Sequence, residues 1–374
     1  MKKIPLFRPY YDSREVKALE KVLLSGWIGM GPKTKEFEES FAKYVGAKYG
    51  VALNSATSAL QLALEVLNIG KGDEVITTPL TFASSSECIL QVGAIPVYAD
   101  VEEETLNINP SKIEELITQK TKAILIVHYG GQPCDIDKIQ SIAKKHKLHV
   151  IEDAAHACGA SYKGKKIGGN DNLTCFSFHA VKNLATGDGG MITTNDPAID
   201  KKLRLMRWLG IDKSTYDRNT VGKYLWDYNI DTKGYKNHMN DIAATLGIVQ
   251  LSKLDKMNAK RKKISDTYSK IFSDSKNIIP LKIKSDRLSS HHIYCVKLDG
   301  IDRADLMAHL SEKGISTGVH YKPLFHHTRY KKFNKKNTPV VESVWQNILS
   351  LPVFPGMEMD DVKRVANEIK KYIK

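Results

Sequence analysis

From Tyr49 onward, short apolar runs of β-forming residues alternate with stretches of helical periodicity, and this alternation constrains the fold more than any other feature. The β-type runs fall at 49–53, 74–77, 95–98, 123–127 and 149–152, and helical patterns fill 57–67, 83–92, 111–118 and 136–146. Helices of that length between strands require right-handed crossovers, and crossovers build a mostly parallel sheet covered on both faces. The fold class is therefore α/β. Two further runs, 173–178 and 190–194, are expected as a hairpin-like pair at the sheet, followed by a helix at 197–209.

The chain outside this region has another texture. Helices are expected at 14–24 and around Phe37, Phe41 and Tyr44, and the polar, aromatic stretch 210–240 is long for an inert connection. Helical periodicity resumes at 241–254 and runs into a lysine-rich segment. Beyond it lie β-type runs at 292–298 and 315–319 and helices at 303–313, 340–348 and 360–372, an α+β pattern. The boundary falls within the lysine-rich helix, giving a large domain, 1–255, and a small C-terminal domain, 256–374. The opening residues, up to about 30, are free to pack on the small domain.

Composition excludes several classes of function. No run of about 18 apolar residues exists, and the N-terminus lacks the apolar core of a signal peptide, so no membrane insertion is expected and the location expected is cytoplasmic. The five cysteines are scattered without CxxC pairing, which reads as reduced, buried residues, and the histidine pairs lack a metal-ligand pattern. A formal charge of +14 favours anionic partners. The basic clusters, such as 260–263 and 331–336, lack interleaved aromatic residues, so no nucleic acid is expected and a phosphorylated small substrate accounts for the charge equally well.

In an open parallel sheet, ligands bind beyond the carboxyl ends of the strands. After the first strand comes Asn54-Ser55-Ala56-Thr57-Ser58, small and hydroxylic, at a helix start whose amides, with the Thr57 and Ser58 hydroxyls, would cradle a phosphate; a plain N-cap has the same appearance. Phe82 follows the second strand, where an aromatic ring either stacks on a planar ligand or enters the core. The fifth strand ends in Glu152-Asp153, with His156 three residues on. A carboxylate buried at Asp153 wants a partner such as a protonated ring nitrogen. The segment 172–195 then carries Ser177, His179 and Lys182 before a glycine-rich turn. Lys182 alone reads as a surface lysine; desolvated, it is an amine nucleophile for a carbonyl. Together these residues are the parts of a pyridoxal phosphate (PLP) site.

The motifs extend further, through Ser25-Gly26-Trp27, His128-Tyr129-Gly130-Gly131-Gln132-Pro133, Gly187-Asp188-Gly189-Gly190, Gly234-Tyr235-Lys236 and His320-Tyr321-Lys322-Pro323. In this set the chain resembles, over nearly its whole length, the nucleotide-sugar aminotransferases of the DegT/DnrJ/EryC1/StrS group, within the fold type I PLP enzymes. The resemblance implies a seven-stranded-type sheet sandwiched by helices, aspartate aminotransferase-like, and a homodimer with active sites at the interface. It implies Lys182 as the residue that holds the cofactor and moves the proton. Asp153 would pair with the pyridine nitrogen, Phe82 would stack on the ring, and His156 would lie near the ring and its hydroxyl. Ala56 and Thr57 amides with Ser177 would hold the phosphate.

Where relatives often read G-Y-N-x-R, with the asparagine reaching the neighbour's phosphate, this chain has Lys236 at the asparagine position, and His238 at the arginine. Lys236 would serve as a point charge. Trp27, His179, His320 and Tyr321 are carried over as substrate contacts. The resemblance implies L-glutamate as donor and a nucleotide-linked keto-deoxysugar, a 4-keto-6-deoxyhexose, as acceptor, serving a surface polysaccharide such as lipopolysaccharide O-antigen or another glycoconjugate. A dehydrating branch has histidine in place of the lysine, so Lys182 marks a transaminase. Two alternatives stand: a keto-cyclitol or other cyclic ketone as acceptor, and a non-catalytic PLP-binding regulator.

Overall fold

The computed structural model describes residues 2–219, 226–334 and 337–373. Seven strands form its main sheet: Tyr49–Leu53 (β1), Glu74–Thr77 (β2), Ile95–Tyr98 (β3), Thr121–Val127 (β4), His149–Asp153 (β5), Leu173–Ser177 (β6) and Gly190–Thr194 (β7). Their order is β1-β7-β6-β5-β4-β2-β3. All neighbours are parallel except those of β7, which runs antiparallel to both β6 and β1. The strands read as continuous apolar runs because both faces are covered, and each face carries its own hydrophobic cluster. Six carboxyl ends therefore meet at one edge, joined there by the start of β7.

The helices that concern the site begin at that edge. Ser55 caps Ala56–Val66 (α1 of this description), its side chain accepting the Ser58 N–H, and Ser84–Gln91 (α2) follows the second strand. Asn240 caps a 31-residue helix, Asp241–Ile271 (α3), without a break at residue 256. Its first half lies against Ser13–Leu24 and Pro32–Val45, its second against Met359–Tyr372. A three-stranded antiparallel sheet, Ile278–Pro280 (β8), Tyr294–Leu298 (β9) and Ile348–Leu351 (β10), packs with the C-terminal helices around a separate core, and Ile4 is buried in it through a bridge to Ile315.

Three elements differ from expectation. Residues 111–118 form two short 3₁₀ turns, Pro110–Lys112 and Glu114–Leu116, instead of a helix. The apolar positions there are too few to hold a longer helix on the sheet. Residues 315–319 make only single bridges, to Ile4 and Ser350. The helix expected at 340–348 stops at Trp345, and Ile348–Leu351 becomes a strand whose four side chains are all buried, because an edge of β9 is open to pair with it. Stretch 210–240 contains a helix at Thr215–Asn219 and is otherwise irregular, with 220–225 outside the described residues. The basic cluster 331–336 likewise ends outside them, at 335–336. All five cysteines are free and buried. No helix among the described residues is long and apolar enough to cross a membrane.

Candidate active site

The carboxyl edge of the sheet opens into a cavity of about 360 Å³ lined by Ala56, Thr57, Phe82, Asp153, His156, Ser177, His179, Lys182, His320 and Tyr321, ten of the residues singled out in the sequence. Two are elsewhere. Trp27 donates its indole N–H to Met30 O and stands edge-on to Tyr216, 5.1 Å between ring centres, at the margin of a second, larger cavity. Lys236 is exposed in a segment bridged to Trp208 and does not line the first cavity in the single chain.

Lys182 sits in the turn between β6 and β7, its N–H bonded to His179 O at 2.8 Å. Burial lowers its amine from the ordinary value of 10.5 to about 8, against a smaller opposing pull from Asp153. Roughly one molecule in ten then carries a neutral amine at pH 7, against about one in three thousand for an unperturbed lysine. Asp153 is fully enclosed at the end of β5. It accepts Ser85 Oγ–H at 2.7 Å and the Ala155 N–H at 3.1 Å, yet burial outweighs these bonds and Lys182 and raises its pKa. A carboxylate so placed lacks a close cation.

His156, also buried, shares its Nε2 with Tyr321 Oη at 3.0 Å, while its Nδ1 has no hydrogen-bond partner. Burial, then the Lys182 charge, keep His156 neutral; the same two causes lower His320 to about 4. Neutral imidazoles, not cations, thus surround the lysine.

The anion cradle is set by one glycine. Gly190 opens β7 between Leu53 and Ser177 of its flanking strands. A Cβ there would lie 2.4 Å from Ser55 O and 2.7 Å from Ala56 N. Its absence lets the start of α1 close onto Ser177. The cradle differs from the expected one in a detail: Thr57 Oγ1 pairs with Ser84 Oγ at 2.7 Å, and the Ser58 hydroxyl turns back to Asn54 Oδ1 at 2.7 Å instead of facing the cavity. That leaves the amides at Ala56 and Thr57 as the donors available to an anion at this helix start. Phe82 remains 63% exposed at the cavity mouth, 6.4 Å from the Tyr321 ring.

Several residues here were given no role in the site from the sequence: Ser84 and Ser85 at the start of α2, Phe7 from the N-terminal segment, and Gly190 and His292. The serines begin two residues after Phe82 in a run of three and could have been found as N-terminal hydroxyls of a helix facing the site. The others are brought in by tertiary structure. Behind the wall, His128 Nε2 bonds Glu152 at 2.8 Å, with its Nδ1 accepting the Cys134 N–H, and Asn170 and Asn172 both donate to Glu152 at 2.6 Å. Burial pushes Glu152 up, but these donors outweigh it and hold the carboxyl below its usual value.

These observations fit PLP. An unpaired buried acid suits a protonated pyridine nitrogen, the orphaned His156 Nδ1 suits a polar ring substituent, helix amides suit a phosphate, and a depressed lysine suits an aldehyde.

The model of the DegT/DnrJ/EryC1/StrS aminotransferase family matches residues 9–370. The spore coat polysaccharide biosynthesis protein SpsC of Bacillus subtilis is 40% identical over 379 residues, 99% of this chain and 97% of SpsC. An uncharacterised protein of Methanocaldococcus jannaschii, MJ1066, is 43% identical over 377 residues, with the same coverage. Among solved structures, Spr1654 of Streptococcus pneumoniae, assigned as a sugar aminotransferase, superposes with a TM-score of 0.92 at 34% identity in both its PMP and PLP forms; the PMP form matches 99% of this chain and 97% of that one. Fold and site together define a PLP-dependent enzyme of fold type I. The chain belongs to the DegT/DnrJ/EryC1/StrS aminotransferase family, and its cofactor is PLP.

Proposed function

We propose that the enzyme moves an amino group from L-glutamate to a nucleotide-linked keto-deoxysugar, a 4-keto-6-deoxyhexose, in the making of a surface polysaccharide or other glycoconjugate. The observation that carries this is the cavity itself: a lysine of depressed pKa, a buried unpaired acid and helix amides at one sheet edge, in a chain aligned over 99% of its length with a polysaccharide-biosynthesis protein. The acceptor's diphosphate agrees with a formal charge of +14.

The chemistry PLP supplies when bound is an aldehyde that captures amines and a ring that accepts electrons from the carbon losing its proton. The chain's residues do the rest. Lys182 would hold the cofactor through its Nζ, and the same amine, when neutral, would serve as the base that accepts and returns the substrate proton. Asp153 keeps the ring nitrogen protonated, and the Ser85 and Ala155 donors keep its carboxylate in place. His156, neutral, positions the ring hydroxyl. Ala56, Thr57 and Ser177 hold the phosphate, and Phe82 covers the ring and excludes water at the mouth. His179, His320 and Tyr321 border the space left for the sugar, with Trp27 a contact for the nucleotide. In this reading the enzyme is a cytoplasmic homodimer of protomers built from domains 1–255 and 256–374, and exposed Lys236 serves the phosphate in the opposite protomer's site.

The test is to incubate purified enzyme with L-glutamate and a panel of UDP-, GDP- and dTDP-linked keto-sugars and keto-cyclitols, following product mass and 2-oxoglutarate. Amination of one nucleotide-linked 4-keto-6-deoxyhexose is expected. Amination of a keto-cyclitol alone would overturn the acceptor, and absence of 2-oxoglutarate during turnover would overturn the donor.

A further inference from the structure

The turn that carries Lys182 has one other polar side chain between residues 180 and 185, that of Asn183, and it is buried. Its Nδ2 donates to Asn258 Oδ1 and to Ser290 O, both at 2.8 Å. With the amine side of the amide thus committed, its Oδ1 is what meets His292 Nδ1 at 2.9 Å. An amide oxygen only accepts, so His292 carries its proton on Nδ1 and donates. Two rings pack on the imidazole. Phe7 stacks on it at 5.3 Å and 8°, and the His156 ring lies 4.5 Å away, tilted by 35°. Burial, followed by the Lys182 charge, keeps His292 neutral, which leaves Nδ1–H as its single proton.

We propose that His292 is a positioning residue for the reaction: its Nδ1–H bond to Asn183 ties the lysine-bearing turn to the segment that leads into β9, the central strand of the C-terminal sheet, and so fixes where the Lys182 amine points. This rests on the reading of Lys182 as the amine that holds the cofactor. Its physical weight comes from tolerance, since a displacement of about 1 Å at a reacting group costs on the order of 10²-fold in rate. Residues 180–185 otherwise present apolar side chains, which pack without fixing direction, apart from the lysine itself. The bond spans 109 residues of sequence, so the turn is held by a segment remote from β6 and β7 along the chain.

Two substitutions separate the two ring nitrogens. In His292→Asn the side-chain amide nitrogen falls where Nδ1 was and still donates to Asn183. In His292→Gln a polar group replaces Nε2 and the Nδ1 donor is lost. Asn183→Ala removes the same bond from the other side, together with those to Asn258 and Ser290, so it is read alongside the two His292 variants. Hydrogen exchange is measured on the full-length enzyme, PLP-loaded and, separately, stripped. Wild type and His292→Asn should protect 178–187 to within about twofold, while His292→Gln and Asn183→Ala should exchange there roughly tenfold faster, with β8–β10 unchanged. Equal protection in Asn183→Ala, equal loss in the two His292 variants, or loss spread through β8–β10 would overturn the proposal. Should His292→Gln not fold, Asn183→Ala carries the test. A failure of the Lys182 reading is seen separately, as cofactor attachment at another residue, and leaves the exchange comparison standing.

Discussion

Replacing Lys182 by methionine should make the cofactor-free protein more stable at neutral pH, although it abolishes activity. The reason is the cost of enclosing an ammonium. Its pKa falls from 10.5 to about 8 in the folded chain, and a gap of roughly 2.5 units at about 1.4 kcal/mol each is a penalty of about 3 kcal/mol on folding with the charge in place. Methionine keeps the length and removes the charge. Asp153, left without the ammonium, takes back part of the gain, so the net is ~1–3 kcal/mol. The sign with pH follows from proton counts. Below pH 8 both folded and unfolded states carry the proton and the penalty is complete. Between pH 8 and 10.5 the unfolded chain holds the extra proton, so raising the pH stabilises the wild type. The difference between variant and wild type should therefore be largest below pH 8 and vanish above 10.5. Denaturant titrations of both apoproteins at pH 7 and pH 10.5, followed by circular dichroism, measure it. A Lys182→Met protein no more stable than wild type at pH 7, or a gain that persists unchanged at pH 10.5, would refute the reasoning.

Glu152→Ala strands a buried imidazole and two amides that now converge on the carboxylate, and should cost about 3–5 kcal/mol in denaturant unfolding. Gly190→Ala drives a methyl into the Ser55 carbonyl; PLP affinity, read by fluorescence titration of the apoenzyme, should fall at least about tenfold, since 1.4 kcal/mol suffices for that and overpacking commonly costs more. Phe82→Ala removes a largely exposed ring, so stability should change by no more than about 0.5 kcal/mol, while PLP binding weakens by about 1 kcal/mol in the same titration.

The sheet was legible because its strands are buried on both faces and their apolar runs are punctuated by helices of ordinary length. Local signals failed where they were weaker than tertiary demand: the helix expected at 340–348 ends at Trp345, and Ile348 opens a strand, because β9 offers it an open edge. The site divides along the same line. Asp153 and Ser177 close strands and Thr57 and Phe82 come just after them, so the rule of carboxyl ends found them, and Lys182 gained its meaning from that company. Gly190 is different. Its role is a close approach to Ser55, visible only once β1 and β7 are paired. His292 lies 110 residues from Lys182, and nothing local marks a histidine just ahead of a strand as the partner of Asn183. The hydroxyl of Ser58 illustrates the opposite error, a plausible ligand that its own turn consumes.

The central claim, that Lys182 is the amine that holds PLP, is tested most directly by borohydride reduction of the PLP-loaded enzyme followed by peptide mass spectrometry. A pyridoxyl group on Lys182 alone, absent from Lys182→Ala, is expected. A pyridoxyl group on any other of the chain's lysines, or retention of the label in Lys182→Ala, would contradict it.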